Sequence, residues 1–442
     1  MIEILVVLNS QFSGTNLKNF AIICESILSI SGKVTMLPIS RMSGLSYRTI
    51  QRFYALKDVN WLLIRLMLFK HFIYNSKHQY LLVGDETVES KAGKNTHGIN
   101  RFYSSIAQRA INSVSFLALS LVDITTEKSW IIALKQLIKK PKVEAINLQK
   151  PKNNDEQKPK RGRPQGSKNK IKQESTGLSY EQLKSLLVLV KGKLSSFLPN
   201  LQCFFLVLDG FYGCSDYVLL AIANNLKLIS KLKSNAYLLF PFEGEYQGKG
   251  RPKTKGCKVN LDDIDKKYLI ESKQEKEQPT ISTRIYHFQA YTPSIKGKLL
   301  NIVVLVHQNT ETKRITKNIL FSSDLDLTAN EIIKYYSLRF QIEFDFRAAK
   351  QYFGLAGFKN FKETQVYNAV NIAFTMTLIS RILLEKYKIQ WNCPKMGLLD
   401  LKALFRIKKY TEFVLKSNQI NPIDFLNSQN FLKIAQLETI HL

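Results

Sequence analysis

The sequence predicts an α/β protein: a mixed sheet with flanking helices, interrupted by a β-rich insertion and preceded by a helical segment. Three observations lead there. Two short apolar runs, 80–85 and 203–209, each close on an aspartate, as buried strands do. Residues 243–325 shift to alternation of polar and apolar positions between turns. Two long stretches, 329–353 and 365–387, carry apolar residues at helical spacing.

Taken in order, residues 18–75 read as helical. The run 19–30 is apolar and of helix length. Residues 38–54 hold a short helix, a turn at Gly44 and a second helix capped by Ser46, the layout of a helix-turn-helix. Arg48, Gln51 and Arg52 then project from the second helix. A helical hairpin with a solvated basic face fits the same pattern. Strands are expected at 80–85, 113–124 and 130–137, the last of which also fits a helix. The segment 139–175 is rich in Lys, Asn, Gln and Pro, cannot build a core, and reads as a disordered basic loop. A helix at 180–197, a strand at 203–209, a helix at 215–225 and a strand-like stretch at 226–242 follow. Within the insertion, 283–291 and 299–307 are the clearest strands, and the chain after 392 reads as helical. The expected segments are therefore a helical DNA-binding domain at 1–75, the two parts of the α/β core at 76–242 and 326–390, the insertion at 243–325, and a helical tail at 391–442.

Composition narrows the function. Hydrophobic residues make up 45% of the chain, enough for a sizeable core. Sixty-four Lys and Arg against 35 Asp and Glu give a formal charge of +29, a field that attracts polyanions, nucleic acid first among them. That field favours DNA contact for the helix-turn-helix. No run reaches the ~18 uninterrupted apolar residues of a membrane span, and the start lacks the flanks of a signal peptide, so a cytoplasmic, nucleoid-associated protein is expected. The five cysteines are scattered, with no CxxC pair, and read as reduced.

The acids at 85 and 209 face one spot if their strands are neighbours, although many strands end in Asp at a turn. The stretch 329–353 adds a third acid. On one continuous helix Tyr336, Arg339, Glu343 and Lys350 fall within an arc of about 60°. An apolar stripe of Tyr335, Leu338, Ile342, Phe346, Ala349 and Phe353 lies about 90° away and can dock on a sheet. A solvated stripe with i,i+4 charge pairs such as Arg339 with Glu343 fits the same spacing.

The spacing Tyr336-x2-Arg339-x3-Glu343-x6-Lys350 resembles, without a gap, the signature of a large group of bacterial insertion-sequence transposases. Asp85-Glu86-Thr87 is similar to the Asp-x-Thr of their first strand, and Lys91-Ala92-Gly93-Lys94 and the run 98–103 are similar too. Leu208-Asp209-Gly210-Phe211-Tyr212 resembles their second acidic strand. The likeness spans roughly residues 18–390. It implies an RNase H-like core in which the first and fourth strands lie side by side. Asp85, Asp209 and Glu343 would hold two Mg²⁺ ions, with Mn²⁺ able to substitute, and Tyr336, Arg339 and Lys350 would hold phosphates. It also implies double-stranded DNA as partner, at transposon ends and target, and a dimer on that DNA. In such enzymes the insertion grips the transposon end and sometimes holds a flipped base on an aromatic residue. The insertion here has no Trp, which leaves Tyr286, Phe288 or Tyr291.

These residue types suit the reaction. Phosphodiesters resist anionic nucleophiles, and paired divalent ions about 3.5–4 Å apart relieve that resistance. Magnesium prefers carboxylate oxygen, so three acids suffice and no His or Cys ligand is required. Water would first free a 3′-OH at the element's end, and that 3′-OH would then attack target DNA. Lys350 would act as a point charge and Arg339 as a bidentate fork. Glu86 faces away from the two aspartates if the strand continues. Lys160-Arg161-Gly162-Arg163-Pro164 resembles an AT-hook core, whose arginines thread a narrow minor groove, although a solvated basic loop fits as well. Gly250-Arg251-Pro252-Lys253 is a weaker match still and resembles a loop common in that group of transposases. The rival functions are a DNA-binding protein derived from a transposase that no longer turns over, and a metal-dependent nuclease that cuts without joining.

Overall fold

The computed structural model describes residues 1–139, 178–245, 248, 252–274 and 280–441. It opens with five helices: α1 (Ile2–Leu5), α2 (Gly14–Ser29), α3 (Met36–Ser43), α4 (Tyr47–Tyr54) and α5 (Trp61–Phe72). The two short helices and the intervening turn expected at 38–54 are present. Gly44 ends α3 at φ 74°, and Ser46 Oγ accepts from Thr49 N at 3.1 Å. Arg48, Gln51 and Arg52 are exposed on α4.

These helices are not a detached module. Phe12, Phe20, Phe53 and Trp61 form one aromatic cluster. Trp61 Nε1 donates to Asn368 Oδ1 at 2.8 Å, and Asn368 Nδ2 returns bonds to Tyr54 O and Leu56 O. Buried Arg65 donates to Ile132 O at 2.9 Å and to Asn371 Oδ1 at 2.9 Å. Position 75 therefore marks a change of element type and not a gap in the core.

The first strands are β1 (Gln79–Ser90), β2 (Asn100–Ser104), β3 (Arg109–Asp123) and β4 (Ser129–Leu137). The helical alternative for 130–137 is excluded by pairing with β3 from Ser115↔Leu137 to Val122↔Ser129. Then come α6 (Leu178–Phe197), β5 (Gln202–Leu208), α7 (Ser215–Ala223) and β6 (Lys227–Leu232). β7 (Leu239–Pro241) comes just before the expected insertion, which supplies β8 (Lys255–Lys258), β9 (Leu269–Gln274), β10 (Ile281–Thr292), β11 (Ile295–Asn309) and β12 (Ile315–Ser322).

Among the described residues the strands join in one mixed sheet, in the order β2-β3-β1-β5-β6-β12-β11-β10-β7-β8. Both β4 and β2 pair with β3, and β9 pairs with β10. β1 is antiparallel to β3 and parallel to β5, and β5 is parallel to β6, an arrangement consistent with an RNase H-like core. The insertion continues this sheet, because β12 pairs antiparallel with β6. That packing bears on the three aromatics left to hold a flipped base. Tyr286 and Phe288 are buried, Phe288 against Phe240 and Tyr268, and Tyr291 is half-buried.

The chain ends in α8 (Ala329–Leu338), α9 (Gln341–Tyr352), α10 (Glu363–Gln390), α11 (Leu398–Ser417), α12 (Pro422–Leu426) and α13 (Gln429–Gln436). Length and composition would let α10 cross a bilayer, but its apolar window is 89% buried, as a core helix is. α11 packs on α2 and is part of the core, not a loose tail: Ser29 Oγ donates to Phe405 O at 3.1 Å. All five cysteines are free; Cys24 and Cys203 are buried and Cys257 is exposed. The expected basic loop, with Arg161 and Arg163, lies outside the described residues, as do Gly250 and Arg251.

Candidate active site

β1 and β5 pair in parallel through Gly84↔Leu208, so Asp85 and Asp209 are the next residues on adjacent strands. A Cβ at Gly84 would stand 2.7 Å from Leu208 Cδ2, so glycine lets the two strands approach just before the acids. Asp85 is not the end of its strand, as the apolar run had suggested. β5 stops at Leu208, while β1 runs on against β3 to Ser90↔Ser113. Asp85 thus sits where the parallel pairing opens. After β5 the chain turns at Gly210–Tyr212, with Tyr212 N donating to Asp209 O at 2.9 Å. Ser230 Oγ on β6 donates to the same carbonyl at 2.9 Å.

The third acid comes from a broken helix. Thr328 and Glu331 form a capping box that starts α8. The expected single helix 329–353 is then interrupted at Arg339 and Phe340. Arg339 N, Phe340 N, Ile342 N and Glu343 N each donate to the carbonyl three residues back, not four. This tight turn keeps right-handed φ and ψ and lets the two halves dock separately. Every member of the expected apolar stripe, from Tyr335 to Phe353, is buried.

The polar stripe converges on Arg339, whose side chain is 7% exposed. Its Nη1 lies 2.9 Å from Asp85 Oδ2 and 3.4 Å from Glu343 Oε1, and its Nη2 lies 3.8 Å from Asp209 Oδ1. Tyr336 OH donates to Asp209 Oδ1 at 3.4 Å. Burial pushes the Asp85 carboxyl up to about 6, although Arg339 and the Glu86 amide pull the other way. As the side chains lie, no group of three or more His, Cys, Asp or Glu among the described residues closes on one ion position. The guanidinium stands between the acids.

Lys350 departs from its expected place as a free phosphate clamp. Its ammonium pairs with buried Glu89 at 2.7 Å and donates to Val88 O at 3.1 Å, because α9 lies along β1. Two further residues have contacts that the sequence did not show. Glu86 does turn from the acids, and accepts from Tyr212 OH at 2.8 Å and Ser179 Oγ at 2.5 Å, tying β1 to the turn after Asp209. Asp345 is fully buried on α9, where it accepts from Ser129 Oγ at 2.6 Å and pairs with Arg381 at 2.7 Å. Its signal was present: it stands three residues after Ile342 and four before Ala349, inside the apolar face.

A family model described as DDE superfamily endonuclease matches residues 8–292, more than half of the chain and including Asp85 and Asp209. The chain belongs to the DDE superfamily of endonucleases. Among curated proteins none matches it in sequence. Endonucleases of this superfamily act on DNA and generally depend on a divalent metal. The donor set of this DDE superfamily endonuclease fits such an ion: three hard carboxylates already gather around one cation, Arg339. The match ends before α9, so the candidacy of Glu343 stands on its contact with Arg339, the guanidinium that also pairs with the two aspartates.

Proposed function

We propose that this DDE superfamily endonuclease is the transposase of an insertion sequence, cutting DNA at the element's ends and joining the freed 3′-OH to target DNA. The observation that carries the reading is the gathering of Asp85, Asp209 and Glu343 from β1, the end of β5 and α9 around one guanidinium. These three carboxylates would hold two divalent ions, Mg²⁺ with Mn²⁺ as a substitute. Bound there, divalent metal would supply activation of the attacking oxygen and stabilisation of the charge on the leaving one.

The chain's own residues do the positioning. Arg339 turns its planar fork to a backbone phosphate when DNA enters, which releases the acids. Tyr336 orients Asp209 through its hydroxyl. Lys350 pins α9 to β1 through Glu89 and Val88, so that Glu343 faces the aspartates. Arg48 and Arg52 on α4 contact the DNA of the element's end, and Arg161 and Arg163 add a minor-groove contact. Two ends must be brought together, which favours a dimer on DNA. No Ser or Tyr nucleophile takes part.

The test is an assay of strand cleavage and strand joining on DNA from the element's own termini with Mg²⁺. Both products are expected, and both should fall to background in Asp85→Ala, Asp209→Ala and Glu343→Ala. Cleavage without joining would make the protein a nuclease, and neither product would leave a DNA-binding protein.

A further inference from the structure

Beyond Asp85, β1 runs into a basic loop at 91–97 that is held in place from several sides. Asn112 Nδ2 donates to Lys91 O at 3.0 Å and to Gly93 O at 3.1 Å. Gln136 Nε2 donates to His97 O at 2.8 Å, and His97 N donates to Phe361 O at 2.9 Å. The loop is therefore preformed against residues 358–361. Between the two lies a cavity of about 410 Å³, lined by Lys91, Lys94, Lys359, Asn95, Thr96 and Phe361, with no carboxylate in its wall.

Lys91 is the innermost of the three cations. Its Nζ donates to Phe358 O at 3.0 Å and stands 3.3 Å from the centre of the Phe358 ring. Burial lowers its pKa to about 8, so the ammonium gains from any anion that enters. Lys94 and Lys359 are exposed at the rim, and the Phe361 ring is 54% exposed beside them. Ammonium groups next to an open aromatic face, with amide and hydroxyl groups between, are the parts of a site for a nucleic-acid strand. Lys91 lies six residues beyond Asp85 along β1, roughly 20 Å at about 3.3 Å per residue. That equals about six nucleotides of a strand rising about 3.4 Å per step.

We propose that this cavity is a second DNA contact, which takes a backbone phosphate between Lys91, Lys94 and Lys359 and packs an unpaired base on Phe361, about six nucleotides from the cut. It rests on the reading of the acids as a DNA-cutting centre. It adds to that reading a preference for DNA with an unpaired flank.

The test is fluorescence anisotropy of the full chain in EDTA. Two labelled probes are used, a blunt 30-base-pair duplex and the same duplex with a ten-nucleotide single-stranded extension. Lys94 and Lys359 are chosen because both are exposed, whereas Lys91 also supports the fold. The double variant Lys94→Gln/Lys359→Gln should bind both probes several-fold more weakly and lower the salt slope by about one. Phe361→Ala should weaken binding of the extended probe and leave the blunt one unchanged. Unchanged affinity and slope in the double variant, with wild-type melting behaviour, would overturn the proposal. So would displacement of an inorganic phosphate bound through Lys94 without any change in DNA affinity, which would make the cavity a free-anion site. Because the readout needs neither metal nor cleavage, variants that bind normally while the wild type cuts sink the pocket alone. A wild type that neither binds nor cuts DNA sinks both readings.

Discussion

Arg339 holds three acids with one guanidinium, and its Nε finds no acceptor of its own. Three carboxylates gathered this closely repel one another, and the guanidinium offsets that repulsion while no other cation is bound. For Asp85 the offset is incomplete, since burial outweighs Arg339 and pushes the carboxyl up to about 6. An acid whose folded pKa is raised binds its proton more tightly in the folded state, so stability falls as pH rises from the unfolded value near 4 to about 6. The cost is absent below that window and fully present at pH 7, where two units amount to roughly 3 kcal/mol. Asp85→Asn should therefore be inactive yet more stable than the wild type in EDTA at pH 7. The gain should shrink toward zero as the pH is lowered to about 4. Urea unfolding at the two pH values measures it, and a gain of equal size at both would rule out ionisation of Asp85 as its source. Millimolar Mg²⁺ should narrow the gap at pH 7, because only the wild type keeps all three acids.

At the scale of the element, α9 is tied down at two points other than its apolar face. Asp345 joins it to β4 and α10 through Ser129 and Arg381, and Lys350 joins it to β1 through Glu89. Lys350→Ala should cost about 3 kcal/mol, because Glu89 is left buried and unpaired. Adding Glu89→Gln should return much of that loss. If Lys350→Ala instead leaves stability untouched and only weakens DNA binding, the ammonium is a phosphate clamp after all. Asp345→Ala should lower the cleavage rate more than DNA affinity, since it loosens the support of Glu343 without removing a cation. Much of this element was legible in the sequence. The spacing from Tyr336 to Lys350 placed the polar residues on one side, and the stripe from Tyr335 to Phe353 is buried as its periodicity required. The break at Arg339 left no mark, because three-residue hydrogen bonding in a right-handed turn needs neither Gly nor Pro. The partner of Lys350 was equally hidden. Glu89 is more than 250 residues away in sequence, and only the packing of α9 along β1 brings it near. The same holds for Asp85 and Asp209. Each was visible as an acid closing an apolar run, but their register comes from long-range pairing that local pattern does not encode.

Over the whole molecule, the three candidate acids and most of the exposed cations lie in different places. The acids lie at the opening between β1 and β5, whereas positive charge is spread across a chain of +29, including the exposed Arg48 and Arg52 of α4. The helices that carry those arginines share the core with α10 and α11, so their orientation toward the sheet is set by packing and not by a linker. A rigid array of cations should neutralise several phosphates at once, and each contact on duplex DNA contributes about 0.9 to the salt slope. Affinity measured in EDTA should therefore fall steeply between low and moderate salt. The three alanine variants of the acids should show the same slope as the wild type, and Arg48→Ala/Arg52→Ala a shallower one. The basic segment around Arg161 and Arg163 tests how sequence preference is added to this general attraction. Gly-Arg-Pro flanked by Lys and Arg fits a narrow A·T minor groove, where negative potential is enhanced, better than the wider groove of G·C-rich DNA. Deleting residues 155–172 removes charge in either case, so some loss is expected on any duplex. A minor-groove contact predicts a larger loss on an A·T-rich duplex than on a G·C-rich one of the same length. Anisotropy titrations on the two duplexes at one salt concentration decide it: equal losses would leave the segment as a source of charge alone.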